Sequence, residues 1–213
     1  MASRLSHTIF FLFIINLTVC SQNNIITPEQ NTPVFVNSEK EHKAYFASGC
    51  FWCVEAIYES IIGVNNVVSG YSGGNIPNPT YEIVNTKITG HAETIEVSYD
   101  PKKIDFSNLV DIYFASQDIE QINGQGPDNG SQYRSIIFYQ TEAQRDLINK
   151  KIEKLEKNKN LNVAAEVSAF QKFWIAENYH QDFKKKNPNH PYILRVSNTR
   201  FNKFKFNYKE ITK

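Results

Sequence analysis

The chain is 213 residues long, 41% hydrophobic and 21% charged, with a formal net charge of +1. That balance excludes intrinsic disorder, gives no electrostatic basis for binding nucleic acid, and suits one domain with an ordinary core. Fifteen Phe and eleven Tyr exceed what such a core needs, which leaves aromatic rings free to line a pocket.

Residues 8–19, TIFFLFIINLTV, follow a start that bears Arg4. A charged start and then an apolar run is the order of a secretory signal, and a bilayer-spanning helix would need about 20 apolar residues. Residues 1–20 therefore read as an export leader, and the protein is expected in the periplasm or anchored to a membrane. Cys20 closes the leader in L-T-V-C-S, which resembles a bacterial lipoprotein site except for Val19. A lipid anchor at Cys20 and simple cleavage nearby both stay open. Residues 21–42 lack periodicity and read as a flexible tether, and residues 43–213 as the folded domain.

Ala44 to Ala47 predicts a short strand, and Val54, Ile57, Tyr58 and Ile61 recur at helical spacing until Gly63. Cys50 and Cys53 thus sit at a strand-to-helix turn. The segment VVSGYSGGNIPNPTY reads as a strand that dissolves into a constrained loop. Thr94 to Tyr99 alternates, as a strand with one face exposed would, and Phe106 to Phe114 carries a helical stripe. Between Gln117 and Arg134 a glycine-rich loop without regular structure is expected. Ser135 to Tyr139 predicts a strand, Thr141 with Gln144 a capping box that opens a long scaffold helix, and Val163 to Phe170 a further strand. Ala176 to Lys186 predicts a last helix, whose cluster Lys184 to Lys186 is a solvated end. Strands and helices intermix without strict alternation, so the fold class is α+β, a two-layer sandwich with long functional loops.

C-x-x-C supports structural zinc, a thioredoxin-like dithiol, or an enzyme whose first thiol is oxidised and resolved by the second. Zinc needs four ligands, and His42, His91, His180 and His190 are not spaced to complete the set, so no metal is expected. A merely structural disulfide across one helical turn would close too small a loop to contribute much. At the head of a helix, unpaired amides and the helix dipole are expected to favour the Cys50 thiolate.

The string G-C-F-W-C at Gly49 to Cys53 resembles the active-site signature of the A-type peptide methionine sulfoxide reductases. Five further motifs follow in order: G-Y-S-G-G from Gly70, N-P-T-Y from Asn78, G-H-A-E from Gly90, G-S-Q-Y-R from Gly130 and A-E-N-Y-H-Q from Ala176. The resemblance implies a ferredoxin-like core and a monomer without cofactor that reduces methionine S-sulfoxide, free or in proteins. It implies that Cys50 attacks the sulfur, that Glu93 protonates the oxygen, and that Phe51 and Trp52 hold the methyl group. Tyr81, Asp128 and Tyr133 are implied to orient the oxygen and the acid. Cys53 stands where Gly is common in the family, and no cysteine follows it. Cys53 is therefore expected to resolve the Cys50 sulfenic acid, and a thioredoxin-like donor to reduce the resulting disulfide. His91, beside Glu93, is read as structural. The rival readings are a disulfide oxidoreductase, which would need a proline placed opposite the dithiol, and a tethered binding module, which leaves the cysteine turn unexplained.

Overall fold

The computed structural model describes residues 42–213. The leader, Cys20 and all of the tether except His42 lie outside the described residues.

Four strands form the centre: β1 (His42–Ala47), β2 (Val64–Ser72), β3 (Ala92–Tyr99) and, later in the chain, a strand at Ile136–Tyr139. Helix α1 (Phe51–Glu59) joins β1 to β2, the short α2 (Tyr81–Asn85) precedes β3, and α3 (Phe106–Ala115) follows it. A two-residue hairpin comes next, β4 (Gly124–Gln125) with β5 (Asp128–Asn129), which makes Ile136–Tyr139 strand β6. Helix α4 (Glu142–Lys159), β7 (Glu166–Ala169) and β8 (Trp174–Ile175) complete the sheet, in the order β7-β6-β1-β3-β2-β8. The inner four strands, β6-β1-β3-β2, are mutually antiparallel and are joined as two interleaved βαβ units, the split arrangement of a ferredoxin-like core. At the edges β7 runs parallel to β6, and β8 antiparallel to β2.

Period-two alternation sends each strand's side chains into two cores. Ala44 and Phe46 of β1 meet Val54, Ile57 and Tyr58 of α1 and Leu109 and Tyr113 of α3. Tyr45 and Ala47 face the opposite side, where Phe138 and Phe173 join them and Phe170 stacks on Tyr45 at 3.8 Å. Glu96 is therefore not on a solvent face. As part of a central strand it is buried, accepting from the Tyr45 hydroxyl at 2.7 Å and the Lys43 ammonium at 2.9 Å.

Two further expectations are corrected. The loop after Gln117 is not without regular structure, since it holds the β4–β5 hairpin and a 3-10 turn at Ser131–Tyr133. Only Phe183–Lys186 (α5) of the expected last helix is helical. The preceding residues are spent elsewhere: the Ala176 amide pairs with the Ser69 carbonyl, and the Gln181 side chain accepts from the Ser69 amide and donates to its carbonyl, both at 2.9 Å. Gln181 thus acts as a strand partner along the edge of β2. The regular structure beyond Pro188 was not anticipated: a π turn at Ile193–Ser197 runs into α6 (Asn198–Asn207), which lies against α1.

Gly49 adopts φ +74, and a Cβ there would sit 2.5 Å from the Gln125 Cβ. Gln125 cannot retreat, because its amide group holds both the amide and the carbonyl of Asp118. Gly49→Ala should therefore cost about 1–3 kcal/mol, from left-handed backbone strain and overpacking together. A urea midpoint equal to that of the parent protein would refute this account of the turn.

Candidate active site

The topology gathers the site at one end of the sheet. Because β1 and β3 are antiparallel neighbours, the exit of β1, which leads into Cys50, lies beside the entrance of β3, which carries Glu93. Glu93 also pairs in register with Tyr71, near the exit of β2. Cys50 forms the N-cap of α1, with its backbone carbonyl accepting from the Cys53 amide at 3.1 Å and its side chain making no capping bond. The free amide at the head of the helix is used by Glu93, whose Oε2 accepts from Phe51 N at 2.9 Å.

Glu93 is 2% exposed. Burial pushes its carboxyl pKa up to about 8, against the lowering effect of the Phe51 hydrogen bond and with help from Asp128. At neutral pH it is mainly a neutral acid beside Cys50.

Cys50 and Cys53 are both free and buried. Burial works against the expected Cys50 thiolate. Burial raises the Cys50 pKa well above the ordinary range, and neighbouring Cys53 and Glu93 add to the rise. Cys53 is lowered to about 6, first by the hydrogen bond from Cys50 and then, against its own burial, by Arg200, Ser197 and Tyr192. The two thiols titrate as a pair, and the hydrogen bond between them favours a negative charge on Cys53 over one on Cys50.

Aromatic side chains wall the site. Trp52 is half-buried, stacks on Phe183 at 3.6 Å and donates from Nε1 to His180 Nδ1 at 3.0 Å. Phe51 is fully buried, with its ring 4.9 Å from that of His180, and the Tyr81 ring lies 4.5 Å from the same imidazole. Burial lowers the His180 pKa to about 4, so the ring is neutral, and Nδ1 accepts only if the proton sits on Nε2. The Tyr81 and Tyr133 hydroxyls are half-buried, and burial raises the pKa of both, so they stay protonated donors. Asp128 accepts from the Tyr192 hydroxyl at 2.5 Å, and that hydroxyl lies 3.7 Å from the Cys53 sulfur. The structure thus brings together Cys50, Cys53, Phe51, Trp52, Tyr81, Glu93, Asp128 and Tyr133.

His91 stands apart from the acid next to it. Its ring accepts from the Gly74 amide at 3.2 Å and bonds the Ile76 carbonyl at 2.8 Å, bracing the 73–76 loop. Among the described residues no group of three or more His, Cys, Asp or Glu is placed to hold a metal.

Sequence reasoning missed Glu177, His180, Tyr192 and Arg200. Glu177 accepts from the Tyr71 hydroxyl at 2.9 Å and the Tyr81 amide at 2.8 Å, which ties α2 to β2. Arg200 donates to the Ser48 and Ser116 carbonyls and to the Ser48 hydroxyl, so α6 grips the turn that precedes Cys50. A signal for α6 was present in the spacing of Ile193, Ser197, Arg200 and Phe204, which places them on one helical face.

A family model described as peptide methionine sulfoxide reductase matches residues 42–212. The chain is 49% identical over 154 residues to the peptide methionine sulfoxide reductase MsrA of Nautilia profundicola, covering 72% of this chain and 88% of that protein. It is 43% identical over 171 residues to that of Pasteurella multocida, covering 80% and 98%. Among solved structures, reduced Mxr1 from Saccharomyces cerevisiae superposes with a TM-score of 0.66 at 31% identity, covering 76% of this chain and 93% of that one. Methionine sulfoxide reductase A of Corynebacterium diphtheriae gives 0.63 at 30% identity, covering 72% and 78%.

The charge on the cysteine pair is directly measurable. In the reduced protein, one thiolate should appear by ultraviolet absorbance with a midpoint of about 6, below the ordinary cysteine range. Cys53→Ser should abolish that step, and its persistence at the same pH would place the charge on Cys50 instead.

Proposed function

The chain belongs to the peptide methionine sulfoxide reductase family and reduces methionine sulfoxide, and we propose that it does so with Cys50 as nucleophile, Glu93 as general acid and Cys53 as the resolving thiol. The observation that carries this reading is the buried, neutral Glu93 hydrogen-bonded to the amide that follows Cys50. A sulfoxide sulfur accepts a nucleophile only as its oxygen is protonated, so acid and thiol must flank one small site.

Cys50 attacks the sulfur as its proton passes to the Cys53 thiolate, and Glu93 protonates the oxygen. Collapse of the adduct leaves that oxygen on Cys50 as a sulfenic acid and releases methionine. Cys53 then attacks the Cys50 sulfur, its proton departs with the hydroxyl as water, and a disulfide remains. Phe51 and Trp52 hold the methyl group, while Tyr81, Tyr133 and Asp128 orient the oxygen and the acid. A site that separates methyl, oxygen and chain is chiral and takes the S epimer. A thioredoxin-like dithiol returns the disulfide to the thiols. The leader at 1–20 supports export, with either lipidation at Cys20 or cleavage nearby, and the enzyme works as a monomer.

The pH profile follows from these groups. Glu93 must be protonated and the cysteine pair must carry its charge, so single-turnover kcat/KM should fall as pH rises above about 8 and also as it drops below about 6. Glu93→Gln should slow the chemical step by about 100- to 10,000-fold in a folded protein and remove the alkaline limb. A near-normal single-turnover rate in that variant would assign the proton to another group.

Cys53→Ser separates oxidation from recycling. It should still release about one equivalent of methionine per enzyme, because the first step consumes only the Cys50 thiol, while turnover with a thioredoxin-type donor fails. Sustained donor-dependent turnover in this variant would sink the assignment of Cys53.

A further inference from the structure

A second cavity, of about 550 Å³, reaches the cysteine pair from behind. Cys53 forms part of its wall, whereas Cys50, Glu93, Trp52, Tyr81 and Tyr133 do not. It lies between the end of α3 and the hairpin loop on one side and the helical segment from Tyr192 to Asn207 on the other. The Tyr192–Asp128 hydrogen bond joins two residues of this wall. Arg195 and Lys203 stand exposed at the cavity, and neither is in an ion pair with any described residue. Arg200 adds a third cation, against two carboxylates, Asp118 and Asp128, of which Asp128 is engaged by Tyr192.

The geometry points to a binding site for a low-molecular-weight thiol that carries carboxylates, which enters this cavity and attacks Cys53 of the oxidised enzyme. The volume is in the range of small-molecule sites. A sulfur only 2% exposed is better reached by a slender thiol than by the folded surface of a dithiol protein. Unpaired cations select for negative charge and raise its local concentration. The inference rests on the proposed Cys50–Cys53 disulfide and adds an electron input separate from a thioredoxin-type donor.

The chemistry balances. A thiolate attacks the Cys53 sulfur, the disulfide bond breaks, and its electron pair leaves on Cys50, which takes a proton from adjacent Glu93 after that carboxylate has been reprotonated from solvent. A second thiolate attacks the small-molecule sulfur of the mixed disulfide and expels Cys53 as a thiolate. Two thiols are thereby oxidised to one small disulfide, and the enzyme regains both cysteines in the reduced state.

The test has two arms. In the first, wild type is oxidised with substrate, a loss of two hydrogens is verified in the peptide holding both cysteines, and reduction is followed with mercaptosuccinate, mercaptoethanol and cysteamine. After correction for thiolate fraction, mercaptosuccinate should saturate and exceed cysteamine by about tenfold at low salt. Arg195→Glu with Lys203→Glu, at two exposed positions outside the catalytic set, should erase that preference. In the second arm, Cys50→Ser protein reacts at Cys53 with dianionic dithiobis-nitrobenzoate or neutral dipyridyl disulfide, and the double variant should lower only the dianion's rate. This arm requires no recycling chemistry, so if no disulfide forms in the first arm, the proposed resolution step fails while the cavity is still judged. Equal, charge-blind rates in the second arm overturn the inference. So does a double variant that slows only a protein dithiol donor, because the cations would then dock a protein surface.

Discussion

One hydrogen bond organises the reacting centre: the buried Glu93 carboxyl accepts from the amide of Phe51. It satisfies a helix donor that would otherwise be buried without a partner, so it fastens β3 to α1 and secures the start of the helix. The same burial that makes the bond necessary keeps the carboxyl protonated near neutral pH. The acid is thus both placed and kept protonated by one constraint.

The second thiol eases that arrangement without being indispensable to the first step. The hydrogen bond from Cys50 and the charge of Arg200, which also bonds the turn that presents Cys50, favour the Cys53 thiolate. In the proposed scheme the second cysteine therefore takes part before any oxidation has occurred, by accepting the proton that Cys50 loses. The helical segment from Tyr192 to Asn207 contributes a cation, Arg200, and a tyrosine, Tyr192, to the surroundings of the pair.

Much of this was legible in the order of residues. Phe46, Ile57, Leu109 and Ile137 are placed by period alone, and the core strands and the helices α1, α3 and α4 fall where periodicity puts them. The capping pattern at Thr141 is present, with the Gln144 amide donating to the threonine hydroxyl at 3.2 Å. The site residues were recognisable through motifs and not through physics, since a lone Glu93 at a strand start reads as a surface acid until the neighbouring strands bury it. The segment from Ala176 to Gln181 misleads because its helix-forming residues are recruited by distant amides, a tertiary demand that local propensity does not register. Burial of the Cys50 sulfur, which opposes the thiolate that a helix terminus favours, is a tertiary effect of the same kind.

The side chain of Gln181, laid along β2, has a bearing on what the enzyme can safely touch. A sheet edge with open amides is a template on which an extended foreign segment can add as another strand. Oxidised polypeptides, loosened wherever a methionine has become polar, are rich in such segments. β8 pairs with only Gly70 and Tyr71, and the next residues of that edge are taken by the Ala176 amide and the Gln181 amide group. With this end of β2 covered from within, an extended segment that bears a damaged methionine has no open strand at Ser69 to Tyr71 on which to pair.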